Sequence, residues 1–300
     1  MKARVTVPAT AGNTGSAFDA LGTAFELWNE IVVDTDRPGE WTVQGEGADL
    51  LNKGEPNLVR EAMARVEQST GKKLPPHGLS LVNRIPFGRG LGSSAAAIVG
   101  GLLAADALTG AGLTRMQLLR LAAPMEGHPD NAAPAIYGGA VLTVQNEGRV
   151  DGALTVLPLK VPADWRAVLF IPESVVVPTR EARALLPKEV PLADAVHNHS
   201  RAALLVAAIA QERPDLLRVA MQDRLHQPHR ARLFPPMDAL IAAALGAGAW
   251  GACVAGAGPS ILAIASKAGA PAVAGAMNGR VPGRSLVLDF ASAGAKVEPI

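Results

Sequence analysis

The run Pro86-Phe87-Gly88-Arg89-Gly90-Leu91-Gly92-Ser93-Ser94-Ala95-Ala96-Ala97 passes without a break from turn-forming residues into an apolar, alanine-rich stretch. It reads as a loop feeding the N-terminus of a helix. Glycines at alternate positions lack Cβ atoms and take positive φ readily, so the backbone can come close to a ligand. Ser93 and Ser94 stand where the first helical N–H groups have no intrahelical partner. A helix N-terminus carries about half a positive charge, and a glycine loop running into one is a recurrent phosphate holder. The same residues read equally well as a capped helix after a flexible turn. No G-x-x-x-x-G-K-[ST] occurs in the chain, and Ser93 stands where the dinucleotide fingerprint G-x-G-x-x-G needs its third glycine.

A second group of chemistry-bearing residues follows. Glu126 has few charged neighbours in sequence, and Mg²⁺ favours one or two carboxylates together with nucleotide oxygens. It is a candidate metal ligand, although a glutamate at a helix end is more often solvated. His128-Pro129-Asp130-Asn131 reads in isolation as a proline-initiated turn. Arg180, Arg183, Arg224 and Arg230 carry guanidinium forks suited to carboxylate or phosphate, while any single arginine defaults to the surface. The six histidines include His197-x-His199 and His226-x-x-His229 but no zinc-type H-E-x-x-H, and no G-x-S-x-G marks a serine nucleophile. Cys253, the one cysteine, lies in an apolar run and reads as a small core residue.

The elements that must carry these residues come from periodicity and punctuation. Strands are expected over Ala3–Pro8, Leu27–Asp34, Trp41–Gly45, Gly78–Ile85 and Ala140–Val144, with a loop over 9–22. Asn57 caps an amphipathic helix to Glu67, a helix runs from Ser93 to Leu108, and Thr114-x-x-Gln117 is a capping box opening the helix that delivers Glu126. Farther on, strands over Leu154–Leu159 and Ala167–Ile171 precede helices over Thr179–Leu186, Leu192–Ala210, Asp215–Leu225 and Met237–Leu245. The end returns to strands over Gly251–Ala255, Ile261–Ala265 and Ser285–Phe290, with the loop Gly256-Ala257-Gly258-Pro259-Ser260 between the first two.

The composition, 49% hydrophobic and 18% charged, is that of a globular chain with much buried surface. A net charge of +1 with scattered Lys and Arg gives no basic face for nucleic acid or anionic lipid. No apolar run reaches the roughly 20 residues of a membrane span, and Met1–Val5 lacks the apolar core of a secretory signal, so a cytoplasmic protein is expected. Nothing in the pattern decides between a monomer and a homodimer.

Three stretches resemble the motifs of the GHMP kinases: Val7–Gly22, Pro86–Ala97 and Val254–Ser260. Gly127–Pro134, Thr179-x-x-x-Arg183-x-Leu185-Leu186-Pro187 and Asp223–Arg230 resemble the homoserine kinase branch in particular. The resemblance implies an α+β, two-domain GHMP kinase fold, with residues 1–155 like ribosomal protein S5 domain 2 and residues 156–300 ferredoxin-like. It also implies Mg²⁺- and ATP-dependent phosphorylation of the homoserine hydroxyl on the route to threonine.

Residue by residue, Pro86 through Ala96 would cradle ATP, and Ser93 or Ser94 with Glu126 would meet Mg²⁺. Asn13, Asp19, His128, Asn131, Thr179, Arg183, Arg230, Gly256 and Gly258 would contact homoserine. Among these, Asp19 would face its ammonium and Arg183 and Arg230 its carboxylate. Asn131, Asp130 and Arg183 would serve catalysis. Several sister kinases place an aspartate where Asn131 stands, and an amide cannot take a proton, so no side chain here is expected to be an indispensable base. Two departures from the family pattern stand out: Ser16-Ala17 replaces Pro-Gly, and His226-Gln227-Pro228-His229-Arg230 replaces His-Glu-Pro-Tyr-Arg. A kinase for another small alcohol such as mevalonate, or a catalytically silent binder of the same fold, stays open at this point.

Overall fold

The chain is described here from a computed structural model covering residues 1–53, 57–146, 153–173 and 175–300. Its N-terminal half is built on the antiparallel pair β1 (Lys2–Ala11) and β2 (Leu21–Asp34). β1 runs three residues past its expected end, and the register with β2 shifts between Pro8 and Ala9. Proline has no N–H to give the ladder, and a bulge there bends the strand, so Ala9–Ala11 leave at a new angle toward the site.

β3 (Trp41–Gly45), α1 (Ala48–Leu51), α2 (Leu58–Thr70), β4 (Gly78–Asn83), α3 (Ser93–Thr109), α4 (Arg115–Glu126), α5 (Ala132–Tyr137), β5 (Ala140–Gln145) and β6 (Leu154–Leu159) follow. The sheet order is β2 beside β1 and β4, β3 parallel to β4, and β5 pairing both the start of β2 and β6. Asn57 caps α2 by accepting from the N–H of Val59 at 2.9 Å, and both halves of the Thr114–Gln117 capping box open α4. α4 stops after Glu126 because Gly127 takes the left-handed conformation, φ +85°.

α3 is buried on nearly every side, as expected of a helix without a polar face. Its small residues permit close approach. A Cβ on Gly101 would run into the carbonyl of Val59 and lie 2.9 Å from the Cβ of Ala62, both on α2.

The second half holds β7 (Trp165–Pro172), α6 (Thr179–Ala184), α7 (Leu192–Ala210), α8 (Leu217–Ala220), α9 (Gln227–Arg230), α10 (Met237–Gly246), β8 (Gly251–Val254), β9 (Ile261–Ser266), α11 (Ala270–Asn278), β10 (Gly283–Leu288) and β11 (Lys296–Pro299). β10, β7, β9 and β8 make an antiparallel sheet in that order. Val168 and Phe170 pack with Met237, Leu240, Val273 and Met277, whereas Ala167, Leu169 and Ile171 join the core shared with the first half.

Several expectations are corrected. The expected helix over Asp215–Leu225 shrinks to α8 preceded by a 3₁₀ turn, because the Asp223 carboxylate draws the N–H groups of Leu225, His226 and Gln227 onto itself. α1, α5, α9, α11 and β11 lie outside the expected elements. α11 is rich in Ala, Gly and Pro and shows only Val273 and Met277 as a buried i, i+4 pair, and β11 is a four-residue polar strand that pairs antiparallel with β1. A division at 155/156 falls inside β6, which stays in the first sheet, and β11 returns to that sheet from the far end of the chain. The halves are also joined at a seam where the N–H of Glu26 donates to Asp289 and the rings of Phe25 and Phe290 lie 5.7 Å apart. Among the described residues, no helix is long and apolar enough to cross a membrane.

Two glycine-to-alanine changes should move stability in opposite directions. Gly275, inside α11 with open space where a Cβ would go, should gain about 0.5–1 kcal/mol as alanine from helix propensity. Gly101→Ala should lose about 1–3 kcal/mol from overpacking against α2. Denaturant melts of the two variants check both signs.

Candidate active site

Many of the predicted residues converge on one cavity of about 180 Å³ between the halves, whose lining does not include Asp19. Its walls come from the loop before α3 (Phe87, Gly88, Gly90, Gly92), from the first residues of α3 (Ser93, Ser94), from the end of α4 and the turn after it (Glu126, His128, Asn131), and from Asn13 after β1. The second half contributes Thr179 and Arg183 of α6, Arg230 of α9, and Gly256 with Ala257 after β8.

α3 starts with no side-chain cap: Gly92 occupies the N-cap with φ +70°, and its missing Cβ makes room for the hydroxyl of Thr10. The first N–H groups of a long buried helix therefore point into the cavity without a side-chain acceptor. Gly90, φ +73°, must be glycine for a further reason. A Cβ there would strike the carbonyl of Ala255 and lie 2.9 Å from the N of Gly258, so the two glycine loops pack backbone to backbone across the halves. Arg89 does not reach the cavity; its Nη2 donates to the carbonyl of Glu173 at 2.6 Å, tying the loop to the second half. Pro86, Leu91, Ala95 and Ala96 are buried supports behind the loop, with the carbonyl of Leu91 accepting from the N–H of Thr10 at 3.1 Å. Gly258 also lies behind the wall, its N–H closing a turn onto Ala255 at 2.8 Å.

Below the loop, Asp130 is fully buried. Its Oδ2 accepts from the N–H of Asn13 at 2.8 Å and its Oδ1 from Nδ1 of His128 at 2.6 Å. Burial, the largest influence, pushes this carboxyl up, but the His128 charge and hydrogen bond, the Asn13 N–H and Arg183 together bring it below the usual range. His128 is correspondingly held protonated: burial pulls it down, yet Asp130, Glu126 and Asp19 raise it to about 9. Asn131 accepts on Oδ1 from the hydroxyl of Thr10 at 3.0 Å and the N–H of Gly12 at 2.9 Å, which leaves its Nδ2 to face the cavity. Glu126 is driven above its ordinary value, first by burial and also by Asp130, against His128 and a hydrogen bond from Ser94.

At the other end, Arg183 forms a fork with Asp19, Nη1 to Oδ2 at 2.9 Å and Nη2 to Oδ1 at 2.7 Å. Asp19 itself is half-buried, held at φ +53°, with its N–H on the side chain of Asn13. Arg230 is buried; its Nη1 donates to the carbonyl of Gly256 at 2.6 Å, and its Nε has no protein partner. Burial pulls its guanidinium down to about 10. Both arginines lie over the Phe18 ring, each 5.5 Å from its centroid. A buried cation with an unused donor calls for an anion.

Both halves match family models over much of the chain: residues 57–139 match the GHMP kinases N terminal domain and residues 205–283 the GHMP kinases C terminal domain. A homoserine kinase of Thermus thermophilus is 44% identical over 95% of this chain and 95% of its own, and one of Synechocystis sp. is 43% identical over 90% and 88%. The crystal structure of a homoserine kinase from Cytophaga hutchinsonii superposes with a TM-score of 0.86 at 33% identity, covering 99% of this chain and 97% of that one. The chain belongs to the homoserine kinase family of GHMP kinases.

Within that family fold, the two departures in sequence are absorbed locally. Ala17 carries no positive φ, the left-handed turn falling instead on Gly15 at +57°, and Ser16 donates to the carbonyl of Ala220 at 2.8 Å. Gln227 keeps the acceptor that a glutamate would supply, taking the N–H of Val254 at 2.9 Å. Cys253 is a core residue, its thiol pushed up to about 12 by burial.

Sequence reasoning missed a second cavity of about 100 Å³ that shares Phe87, Leu58, Ser93 and Ser94 with the first. Ile31, Leu51, Leu81, Ile85 and Ala97 make it largely apolar, with Asn29, Asn57 and Asn83 at its wall. Its members are scattered over several elements, so no spacing could have marked it. A separate cavity of about 770 Å³ at the seam, beside Tyr137, Lys160 and Trp165, contains none of the predicted site residues.

Gly90→Ala combines a left-handed backbone, costing about 1–2 kcal/mol, with a collision against Ala255. The variant should melt at lower denaturant and lose nucleotide affinity, whereas Gly110→Ala, left-handed but with open space around it, should lose stability alone.

Proposed function

We propose that this chain transfers the γ-phosphoryl group of ATP to the side-chain hydroxyl of L-homoserine, a step of threonine biosynthesis carried out in the cytoplasm. The observation that carries the reading is the meeting, in one cavity, of an uncapped helix N-terminus with Arg230 and with Arg183, which is paired to Asp19 just outside the lining. In this reading the triphosphate lies along Gly88–Ser94 and the purine enters the apolar cavity beside Phe87 and Leu58. The ammonium of homoserine meets Asp19 and its carboxylate meets Arg183 and the unpartnered donor of Arg230.

The residues present fit Mg²⁺. Among the described residues no cluster of three or more His, Cys, Asp and Glu side chains stands ready to bind a metal alone, but Glu126 is a carboxylate destabilised by burial beside two serine hydroxyls, where a cation would relieve it. Bound by Glu126 and the hydroxyl of Ser93 or Ser94, the ion supplies charge neutralisation at the phosphoryl oxygens.

The protein's own contribution is positioning and electrostatics. Helix N–H groups and the Nδ2 of Asn131 donate toward the transferring group, and His128, held as an imidazolium by Asp130, adds a fixed positive charge. The homoserine oxygen forms a bond to phosphorus as the bond to the leaving ADP oxygen breaks. Asn131 cannot accept the hydroxyl proton, and Asp130 has both oxygens committed to His128 and Asn13, so a phosphoryl oxygen takes it.

Mevalonate has no ammonium for Asp19, which disfavours a mevalonate-type reading. Mixing the protein with Mg·ATP and, separately, homoserine, threonine, serine and mevalonate, and following ADP release, tests the assignment. Homoserine should turn over by far the fastest; release with mevalonate alone, or tight ATP binding with no release at all, would overturn it. Glu126→Ala should lower turnover with Mg·ATP by 10²-fold or so while changing homoserine binding little; equal losses in both would make Glu126 structural. Asn131→Asp should lower kcat by about tenfold or more, since it exchanges a donor for a negative charge facing phosphate, and a large rise would revive a side-chain base.

A further inference from the structure

We propose that His226 is a positioning residue that locks Arg230 to the loop between β1 and β2, which bears Asn13 and Asp19, and so sets the affinity of the site for the substrate carboxylate. The inference rests on the homoserine reading for the identity of the ligand that Arg230 meets.

His226 is fully buried where α9 begins and lines no part of the cavity. Its Nε2 lies 2.8 Å from the carbonyl of Gly15, and its Nδ1 lies 3.2 Å from Nη1 of Arg230. A carbonyl only accepts and a guanidinium only donates, so the proton sits on Nε2 and the lone pair on Nδ1. The ring is therefore neutral, and an imidazolium would set two donors against each other at the Arg230 contact.

Asp223, 3.6 Å from Nε2, does not claim the ring proton. Its oxygens are occupied by the N–H groups of Leu225, His226 and Gln227 and by the amide of Asn198. The charged groups around the ring are Asp223, Arg230 and Asp19, and the Phe18 ring covers it at 5.4 Å. Burial outweighs Asp223 and pulls the imidazole down to about 4, in agreement with the tautomer fixed by geometry.

One neutral ring thus spans from the segment bearing Asn13 and Asp19 to α9. With Nη1 of Arg230 fixed by both Gly256 and His226, the direction of the remaining guanidinium donors is set. Removing the Nδ1 acceptor frees the guanidinium to rotate and leaves its Nη1 short of a partner.

Two substitutions separate the ring's contacts. His226→Gln keeps a donor where Nε2 stands and loses the Nδ1 acceptor, whereas His226→Asn keeps an acceptor where Nδ1 stands. His226→Gln should raise the KM for homoserine by roughly tenfold, the scale of one hydrogen bond to a charged group, with kcat and the KM for ATP within about twofold of the parent. His226→Asn, which keeps the Arg230 contact but gives up Gly15, should give a KM between that of the parent and that of His226→Gln. In an Arg230→Lys background the step from His226→Gln should disappear. An unchanged homoserine KM in His226→Gln, or an equal step in both backgrounds, would overturn the proposal and leave His226 a packing residue.

Nitrogen-resolved imidazole spectra of the unaltered protein decide the matter even where neither His226 variant folds. An Nε2–H tautomer whose Nδ1 resonance moves in Arg230→Lys supports the proposal; an Nδ1–H tautomer or a charged ring overturns it. Failure of the unaltered enzyme to phosphorylate homoserine would overturn the substrate reading, while these spectra would still test the His226–Arg230 contact.

Discussion

Asp130 is completely buried and carries a charge, and a carboxylate in that position is tolerated only because a donor sits on each oxygen. One donor is the backbone of Asn13 and the other is His128, so the acceptor-side loop and the turn after α4 are fixed to each other through this side chain. The requirement reaches farther. A Cβ on Gly12 would collide with the carboxylate, and a Cβ on Gly22 with the carbonyl of the same residue, so both ends of the 12–22 loop are held to glycine by Asp130. The next residue, Asn131, inherits its orientation from the same geometry, because Gly12 must come close enough to donate to it.

The second constraint is the contact between the halves. Gly90 and Gly256 approach through bare backbone, a Cβ on Gly256 coming within 2.8 Å of the Gly90 carbonyl. That contact sets the phosphate-side loop at a fixed distance from the arginines, since Gly256 also anchors Arg230 through its carbonyl. On the proposed reading, donor phosphate and acceptor carboxylate would thereby both be referenced to one pair of glycines.

Much of this was legible in the chain. The loop-to-helix junction at Pro86–Ala97, the N-cap Asn57, the Thr114–Gln117 box and the delivery of Glu126 by a helix all follow from local rules, and each has its expected geometry. What periodicity could not give are features decided by distant partners. The family resemblance sets Asp130 among the catalytic groups, but its neighbours place it behind Asn131, where it supports and does not touch the cavity. Arg89 sits in the middle of the phosphate motif yet points away to Glu173. β11 has no apolar alternation, because one pairing edge of β1, not a core face, selects it. Thr10 and Phe18, which orient Asn131 and cover the two arginines, are ordinary residues in a loop until the fold brings α5, α6 and α9 to them.

Two ion pairs in the site differ in a way that suits their places. His128–Asp130 is buried, and parting it would leave a desolvated charge, so it stays closed as part of the scaffold. Asp19–Arg183 joins residues 164 apart, one from each half, and its side chains are 26% and 40% exposed. At that exposure the pair contributes on the order of 0–1 kcal/mol, because water screens the attraction and solvates the separated groups. It opens at little cost, and in the proposed reading a zwitterion would close it again in a new form, ammonium to Asp19 and carboxylate to Arg183. No charge is left unpaired in the exchange. A ligand with only one of the two charges would instead leave either the aspartate or the arginine without its partner, so on that reading the contact that bridges the halves would also discriminate for an amino acid.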